Sequence, residues 1–481
     1  MIQEKKSPAT LLKIDRATLT PLHRQIYERF RAAIEQGVLR AGDRVASARS
    51  LASELGVARG TVETAYNQLA GEGYFSAQGQ AGTVVSPSLP SRLSARRGPR
   101  QAEVPAFEQT LAEIAPPLPL QLGIPALDAF PRKLWARLVS RRARATTTAD
   151  MFYGDPSGHP ALRAAIAAYL RVSRGVLCHP SQVFVTGGYR ASLALSSHTL
   201  LGKDDRVWIE DPGYPPTRQV LRSAGQRVVP VPVDEEGMVV AQGMRKAAKA
   251  KMAVVTPSHQ APLGVSMSLA RRLQLLDWAS QAKAWIVEDD YDGEYRYAGP
   301  PLPALKSLDG HDRVLYAGSF SKVLYPGLAL GYVVAPDSLR DVFAQAAQTW
   351  SNGSPQITQA VVADFMREGH FSRHLKKMRL LYARRRNMLA EALLKALGDE
   401  VRIDLQSGGM HLIARFDRWQ ECDEELARRA QLAGLNCQPL SVRGTANFRD
   451  QGLLMGFTNI GSAVQAQQLA TTLKAALDRR L

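Results

Sequence analysis

Between residues 183 and 334 lie six short apolar runs: VFVT, RVWIE, MAVVT, WIVED, RVLYA and LGYVV. Stretches with helical spacing, such as SLARRLQLLDWAS, separate several of them. Strands parted by helices cannot be joined by tight hairpins. They need crossover connections, and the result is a largely parallel sheet covered by helices on both faces. That pattern commits the greater part of the chain to an α/β domain. It also says where to look for function, because ligands of open parallel sheets bind beyond the carboxyl ends of the strands.

The chemically distinctive residues collect at those ends. VFVT is followed by GGYR, RVWIE by DPGY and MAVVT by PSHQAPLG; WIVED ends in Asp289 with Tyr291 two residues on, and RVLYA leads into GSFSK. Singly, a Gly-Gly pair is a turn, a terminal Asp a cap and a Lys a solvated charge. Together they describe a cofactor with a covalent amine anchor, a carboxylate facing a ring nitrogen, and an anion cradle. Pyridoxal 5'-phosphate has these needs. Lys322 would form the Schiff base, which requires the neutral amine. Asp289 would face the pyridine nitrogen and Tyr291 the phenolic oxygen, with Tyr214 stacked on the ring. Gly187 and Gly188, opening a helix, would present backbone N–H groups to the phosphate, with Arg190 at the same helix start and Ser319 after its own strand as further partners.

A chain of 481 residues is too long for one ordinary core and implies two or three domains. The opening MIQEKKSPAT has no apolar run suited to a signal peptide, and no segment approaches the ~20 apolar residues of a membrane span. Cys178, Cys422 and Cys437 are scattered without a CxxC pair, so neither a metal site nor a disulfide framework is expected. A cytoplasmic protein without a membrane partner is the expectation. The formal charge of +17 favours a polyanionic partner, but residues 1–100 hold 15 Lys/Arg against 8 Asp/Glu, so the excess is not confined there.

Near residue 86 the composition turns to Pro, Ser and Arg, in SPSLPSRLSARRGPRQAEVP, and reads as a linker over 87–117. Ahead of it, Leu22, Ile26, Phe30 and Ile34 form a helical stripe after Pro21. Ser47 can cap a second helix with Leu51 and Leu55 on one face. After Gly56 a third places Val62, Ala65, Tyr66 and Leu69 inward. YFSAQ and GTVVS then form a hairpin. Helix, helix–turn–helix and hairpin make a winged DNA-reading unit of α+β class over 1–86, with Arg59, Gly60 and Thr61 at the exposed start of its third helix.

The run from PLHRQIYERF to LAGEGYF resembles the winged helix of the GntR family. That resemblance assigns Arg49, Arg59, Gly60 and Thr61 to double-stranded operator DNA, with Ala58 and Gly60 standing where relatives carry hydroxyl residues. From about 118 to 481, YGDPSGHPALRAAIAAYL, EDPGY, TPSHQAPLG, VEDDYDGEYRY and GSFSKVLYPGLALGY resemble a fold-type I aminotransferase with a smaller C-terminal α/β subdomain. The order of the two parts is similar to that of the MocR/GabR subfamily of GntR regulators. The resemblance implies a homodimer in which Tyr153 reaches the phosphate held by the partner subunit. It also implies an amino-compound effector whose carboxylate meets Arg443. Two departures stand out: Ala261 where aminotransferases have an asparagine contacting the ring oxygen, and Ala329 where most relatives have an arginine on the phosphate. Both weaken the case for efficient transamination. The expectation is a transcriptional regulator sensing an amino compound through pyridoxal phosphate; the alternatives are a cofactor-free regulator and an active aminotransferase.

Overall fold

The structure is a computed structural model that describes residues 14–16, 18, 20–77, 82–87, 117–297, 303–350, 355–416, 421–445 and 448–478. The hairpin turn and residues 88–116 of the expected linker lie outside the described residues. The chain divides into two compact units, 1–114 and 115–481.

The first unit contains α1 (Leu22–Glu35), α2 (Ala48–Leu55), α3 (Arg59–Gly71), β1 (Phe75–Ala77) and β2 (Thr83–Val85). Ser47 caps α2 by accepting from Ser50 N at 3.1 Å, and Gly56 ends it in the left-handed conformation. The three helices and the hairpin close on an aromatic triangle of Phe30, Tyr66 and Phe75, with ring centroids 5.1 to 5.6 Å apart and edges on faces. Strands β1 and β2 pair antiparallel, with Phe75 opposite Val85, and Arg44 bridges to Val84 on the other side. This third short strand has no sequence signature.

The second unit is built on an eight-stranded sheet. Its members are β3 (Val183–Thr186), β4 (Arg206–Asp211), β5 (Arg227–Asp234), β6 (Gly237–Met238), β7 (Met252–Val255), β8 (Trp285–Asp290), β9 (Val314–Ser319) and β10 (Gly331–Val334), in the order β3-β10-β9-β8-β7-β4-β5-β6. All pairings from β9 through β5 are parallel; β10 runs antiparallel between β3 and β9, and the two-residue β6 antiparallel to β5. β5, RVVPVPVD, escaped the sequence pattern because Pro230 and Pro232 interrupt it. Pro230 O accepts from Lys246 Nζ and Pro232 O from Val239 N, each at 2.8 Å, so these residues turn their missing N–H groups away from β4.

Helices cover both faces: α4 (Arg132–Arg144), α5 (Pro160–Ser173), α6 (Tyr189–Leu200), α7 (Pro215–Ser223), α8 (Val240–Ala247), α9 (Leu269–Ala282), α10 (Arg340–Trp350) and α11 (Gln356–Arg367). The basic helix α12 (His370–Leu397) leads to a smaller antiparallel sheet formed by β11 (Arg402–Asp404), β12 (His411–Arg415), β13 (Gln438–Pro439) and β14 (Leu453–Gly456), flanked by α13 (Asp423–Leu432) and α14 (Ala463–Asp478). Among the described residues no helix is long and apolar enough to cross a membrane.

Candidate functional site

β9 ends at Ser319, and the turn that follows is held from several sides. Phe320 N donates to Leu330 O at 3.0 Å, Tyr295 Oη donates to Lys322 O at 3.2 Å, and His374 Nε2 lies 3.0 Å from Val323 O. Phe320, Val323 and Leu324 are buried on this turn. Lys322 is thereby fixed with its amine at the mouth of the strands, where Nζ donates to Gly123 O at 2.8 Å. Burial pushes this amine below lysine's ordinary value, against the pull of the Asp292 and Asp289 charges. Gly123 sits at φ +71, and a Cβ there would lie 2.4 Å from Lys322 Nζ. It is delivered by the segment entering the domain, where Gly456 N donates to Leu120 O at 2.8 Å.

Period-two alternation at the end of β8 sorts three acids. Glu288 accepts from Leu305 N and Lys306 N, and Asp290 pairs with the buried Arg174 at 2.7 Å. Asp289, between them, faces the other way into a cavity of about 470 Å³. Burial, and then Asp290, Asp292 and Glu210, push the Asp289 carboxyl well above its ordinary value, with Lys322 opposing. It has no ion-pair partner among the described residues. A buried carboxylate in that state is suited to a cationic group arriving from the cavity.

The cavity brings together Arg190, Tyr214, Asp289, Tyr291, Ser319, Lys322 and Arg443. Seven side chains singled out in the sequence thus meet in one space. Gly188 is the residue before α6, at φ +102, and the first residues of that helix, Tyr189 and Arg190, line the cavity. A Cβ on Gly331 would come within 2.8 Å of Gly188 Cα, so β10 presses directly on this helix start. Arg190 is exposed at one edge and pairs with no acid among the described residues. Arg443 donates through Nη2 to Gln438 Oε1, while its buried Nε has no partner among the described residues. Burial draws its guanidinium below the ordinary value, and Tyr214 opposes that. Tyr153 is 90% exposed and lies outside this cavity. Ala261 lines it; Ala329 is exposed, at φ +46, and does not.

Some lining residues had no sequence signal. Gly123, His411 and Gln438 come from distant segments, and only the tertiary fold aligns them with the strand ends. Tyr189 was passed over inside GGYR; its hydroxyl lies 2.7 Å from Thr217 Oγ1 and ties α6 to α7.

In the first unit, Arg49, Arg59 and Gly60 are exposed on α2 and α3, and Thr61 is half-buried. Ala58 gives α3 no side-chain cap; Thr61 N donates back to Ala58 O at 3.0 Å, and the helix start ahead of it is open to an anion. Arg59 Nε is engaged by Glu63 at 2.7 Å, an exposed pair that must open for the guanidinium to read a base.

Comparison with known proteins agrees with both units. The model for bacterial regulatory proteins of the gntR family matches residues 22–85, and that for aminotransferase class I and II matches residues 120–449. The chain is 39% identical to the probable rhizopine catabolism regulatory protein MocR of Rhizobium meliloti, over 94% of this chain and 92% of that one. It is 34% identical to the pyridoxine biosynthesis transcriptional regulator PdxR of Corynebacterium glutamicum, over 91% and 92%. Among solved structures, Pyrococcus horikoshii kynurenine aminotransferase in complex with PMP shares 25% identity at a TM-score of 0.68, covering 79% of this chain and 94% of that one. LysN, the alpha-aminoadipate aminotransferase of Thermus thermophilus, shares 27% at 0.67, covering 75% and 92%. The chain therefore belongs to the MocR/GabR family of transcriptional regulators, in which a gntR-type helix-turn-helix is joined to an aminotransferase-like domain.

Proposed function

We propose that this regulator holds pyridoxal phosphate at Lys322 and senses an amino compound in the same cavity, acting as a homodimer on double-stranded DNA. The observation that carries the reading is the convergence of Lys322, Asp289 and Tyr291 in one cavity at the carboxyl ends of the strands. The residues fit the group. Lys322 has an amine held toward its neutral form, Asp289 is a buried acid with no ion-pair partner among the described residues, Tyr291 brings a phenol, and Arg190 is a guanidinium beside a helix start, with no acid paired to it among those residues. The cofactor, when bound, supplies an aldehyde that amines can capture reversibly.

The chain's own residues then perform the sensing. Lys322 would anchor the group through its amine, at a place an effector's amine could also reach. Asp289 would hold a proton on the ring nitrogen, Tyr214 would cover the ring, and Arg443 would recognise an effector carboxylate. Tyr153, exposed in one chain, is available to the phosphate site of a partner. With Ala261 and Ala329 in place, the site favours sensing over turnover. The deciding experiment is absorbance of the purified protein with added pyridoxal phosphate. A visible band that Lys322→Ala abolishes is expected; no band in the wild type would leave a cofactor-free regulator.

A further inference from the structure

Ala261 lines the cavity but offers only a methyl group, so the side chain just before Pro262 can give no hydrogen bond to a bound ring. A buried histidine that is not among the residues lining the cavity meets the Tyr291 hydroxyl. His259 is buried, with Nδ1 3.0 Å from Tyr291 Oη and 3.1 Å from Asp292 Oδ2. Its Nε2 is 3.0 Å from Gln406 Oε1.

The proton positions follow from the partners. Gln406 Nε2 donates to Leu263 O at 2.7 Å. A carbonyl only accepts, so the amide is oriented with Oε1 toward His259, and Nε2 of the imidazole must carry a proton. Asp292 is 1% exposed, and the His259 ring and the Tyr291 hydroxyl are the donors beside it among the described residues. A bare carboxylate at that depth is costly, and a proton on Nδ1 supplies the missing counter-charge. Both ring nitrogens are then protonated. Burial alone would lower the imidazole, but the charge and close contact of Asp292 and the hydrogen bond to Gln406 hold it above its ordinary value, against Arg296. The neighbouring His411, with ring centroids 6.0 Å apart, is pushed down to about 4 by burial and adds no charge.

Space for the pair is built into the backbone. Gly409, at φ +86, would place a Cβ 2.1 Å from His259 Cε1. Gly264, at φ +72, would place one 2.0 Å from the Gln406 amide. Both positions favour glycine on conformation, and both are closed to a side chain by this pair.

Resting on the cofactor reading above, we propose that His259 is a positioning residue that sets the direction of the Tyr291 hydrogen bond. With Asp292 as counter-charge and Gln406 on Nε2, the single Nδ1 proton lies on the hydrogen bond to the Tyr291 oxygen, so the phenol's own proton is not drawn to the imidazole and can turn from Asp292 to the ring oxygen. An unprotonated Nδ1 would do the reverse, drawing the phenol proton back and leaving the ring oxygen without a donor. His259 thus supplies, through Tyr291, a polar function that Ala261 lacks.

The test is a pH titration of the visible band of the full-length protein loaded with pyridoxal phosphate. A donor to the ring oxygen weakens that oxygen's hold on the proton it shares with the Lys322-bound nitrogen, so losing the donor raises the midpoint. His259→Leu should raise it by about one pH unit. Ala261→Asn in that background should recover part of the shift by supplying an amide directly. In a Tyr291→Phe background, His259→Leu should add nothing, because its effect runs through the phenol. Gln406→Leu, a milder change should His259→Leu fold poorly, should move the midpoint in the same direction. A midpoint unmoved by either variant would overturn the proposal, as would an equal shift with and without Tyr291. A wild-type protein with no band would overturn the cofactor reading itself, a result distinct from a band whose midpoint does not respond.

Discussion

At the scale of single residues, the site is defined by one side chain that is missing and one that is extra. Ala329 ends a short 3-10 turn, Pro326–Leu328, in the left-handed region and carries no charge toward the cavity. Arg190, in the first turn of α6, lines the cavity and has no acidic partner among the described residues. A hydrogen bond to a charged group is worth roughly 1.5–3 kcal/mol, or about 10- to 100-fold in affinity. If Arg190 meets the phosphate, Arg190→Gln should weaken pyridoxal phosphate binding at least about tenfold. Ala329→Arg in that variant should restore part of it, read by equilibrium titration of the visible band. Equal affinities for wild type and Arg190→Gln would show that this guanidinium stays in solvent. Lys322, Asp289 and Tyr291 were legible in the sequence because strand ends are, and strands announce themselves by pattern. Gly123 and the His259–Gln406 pair were not, since they depend on chain segments more than 140 positions apart meeting in space.

At the scale of elements, α3 shows how a helix can be left incomplete for a partner. Its first turn has no side-chain cap, and Gly60 stands there with open space where a Cβ would lie. Neither packing nor backbone conformation in this unit asks for glycine, which costs a helix roughly 0.5–1 kcal/mol relative to alanine. Close approach of a DNA backbone would explain it. Gly60→Ala should therefore raise the thermal midpoint of the protein's first unit while weakening operator binding at fixed salt. Arg59→Ala should cost binding about 1–3 kcal/mol, and relax discrimination at one base position. Gel-shift titrations at matched ionic strength measure both. Tight binding by Arg59→Ala would mean that the Arg59–Glu63 pair never opens. The helices and hairpin of this unit were all readable from apolar stripes and one capping serine. The Arg44 bridge was not, because a single residue of strand has no period to detect. β5 failed for another reason: two prolines at alternate positions break up its apolar run.

At the scale of the whole molecule, sensing requires that the cavity and the DNA-reading unit be linked in free energy. An effector can change DNA affinity only by as much as it prefers one arrangement of the protein over another, and a tenfold change needs about 1.4 kcal/mol of such preference. Arg443 is placed to report on the cavity. It lines it, its carbonyl accepts from Gly213 N at 3.1 Å, and two residues on Thr445 donates to Asp211 through N at 2.8 Å and Oγ1 at 2.6 Å. The smaller sheet is thus tied to the end of β4 at the point where a carboxylate would bind. A ligand bridging Lys322 and Arg443 would pull on both parts of the second unit together, whereas an amine lacking a carboxylate would engage only Lys322. Arg443→Ala should consequently abolish the effect of amino acids on operator affinity, leave any effect of simple amines in place, and hold effector-free DNA binding within about twofold. Operator titrations with and without each ligand class separate these outcomes. An amino-acid response that survives Arg443→Ala would place the carboxylate elsewhere in the cavity, and loss of the response to both classes would assign Arg443 to holding the site's shape.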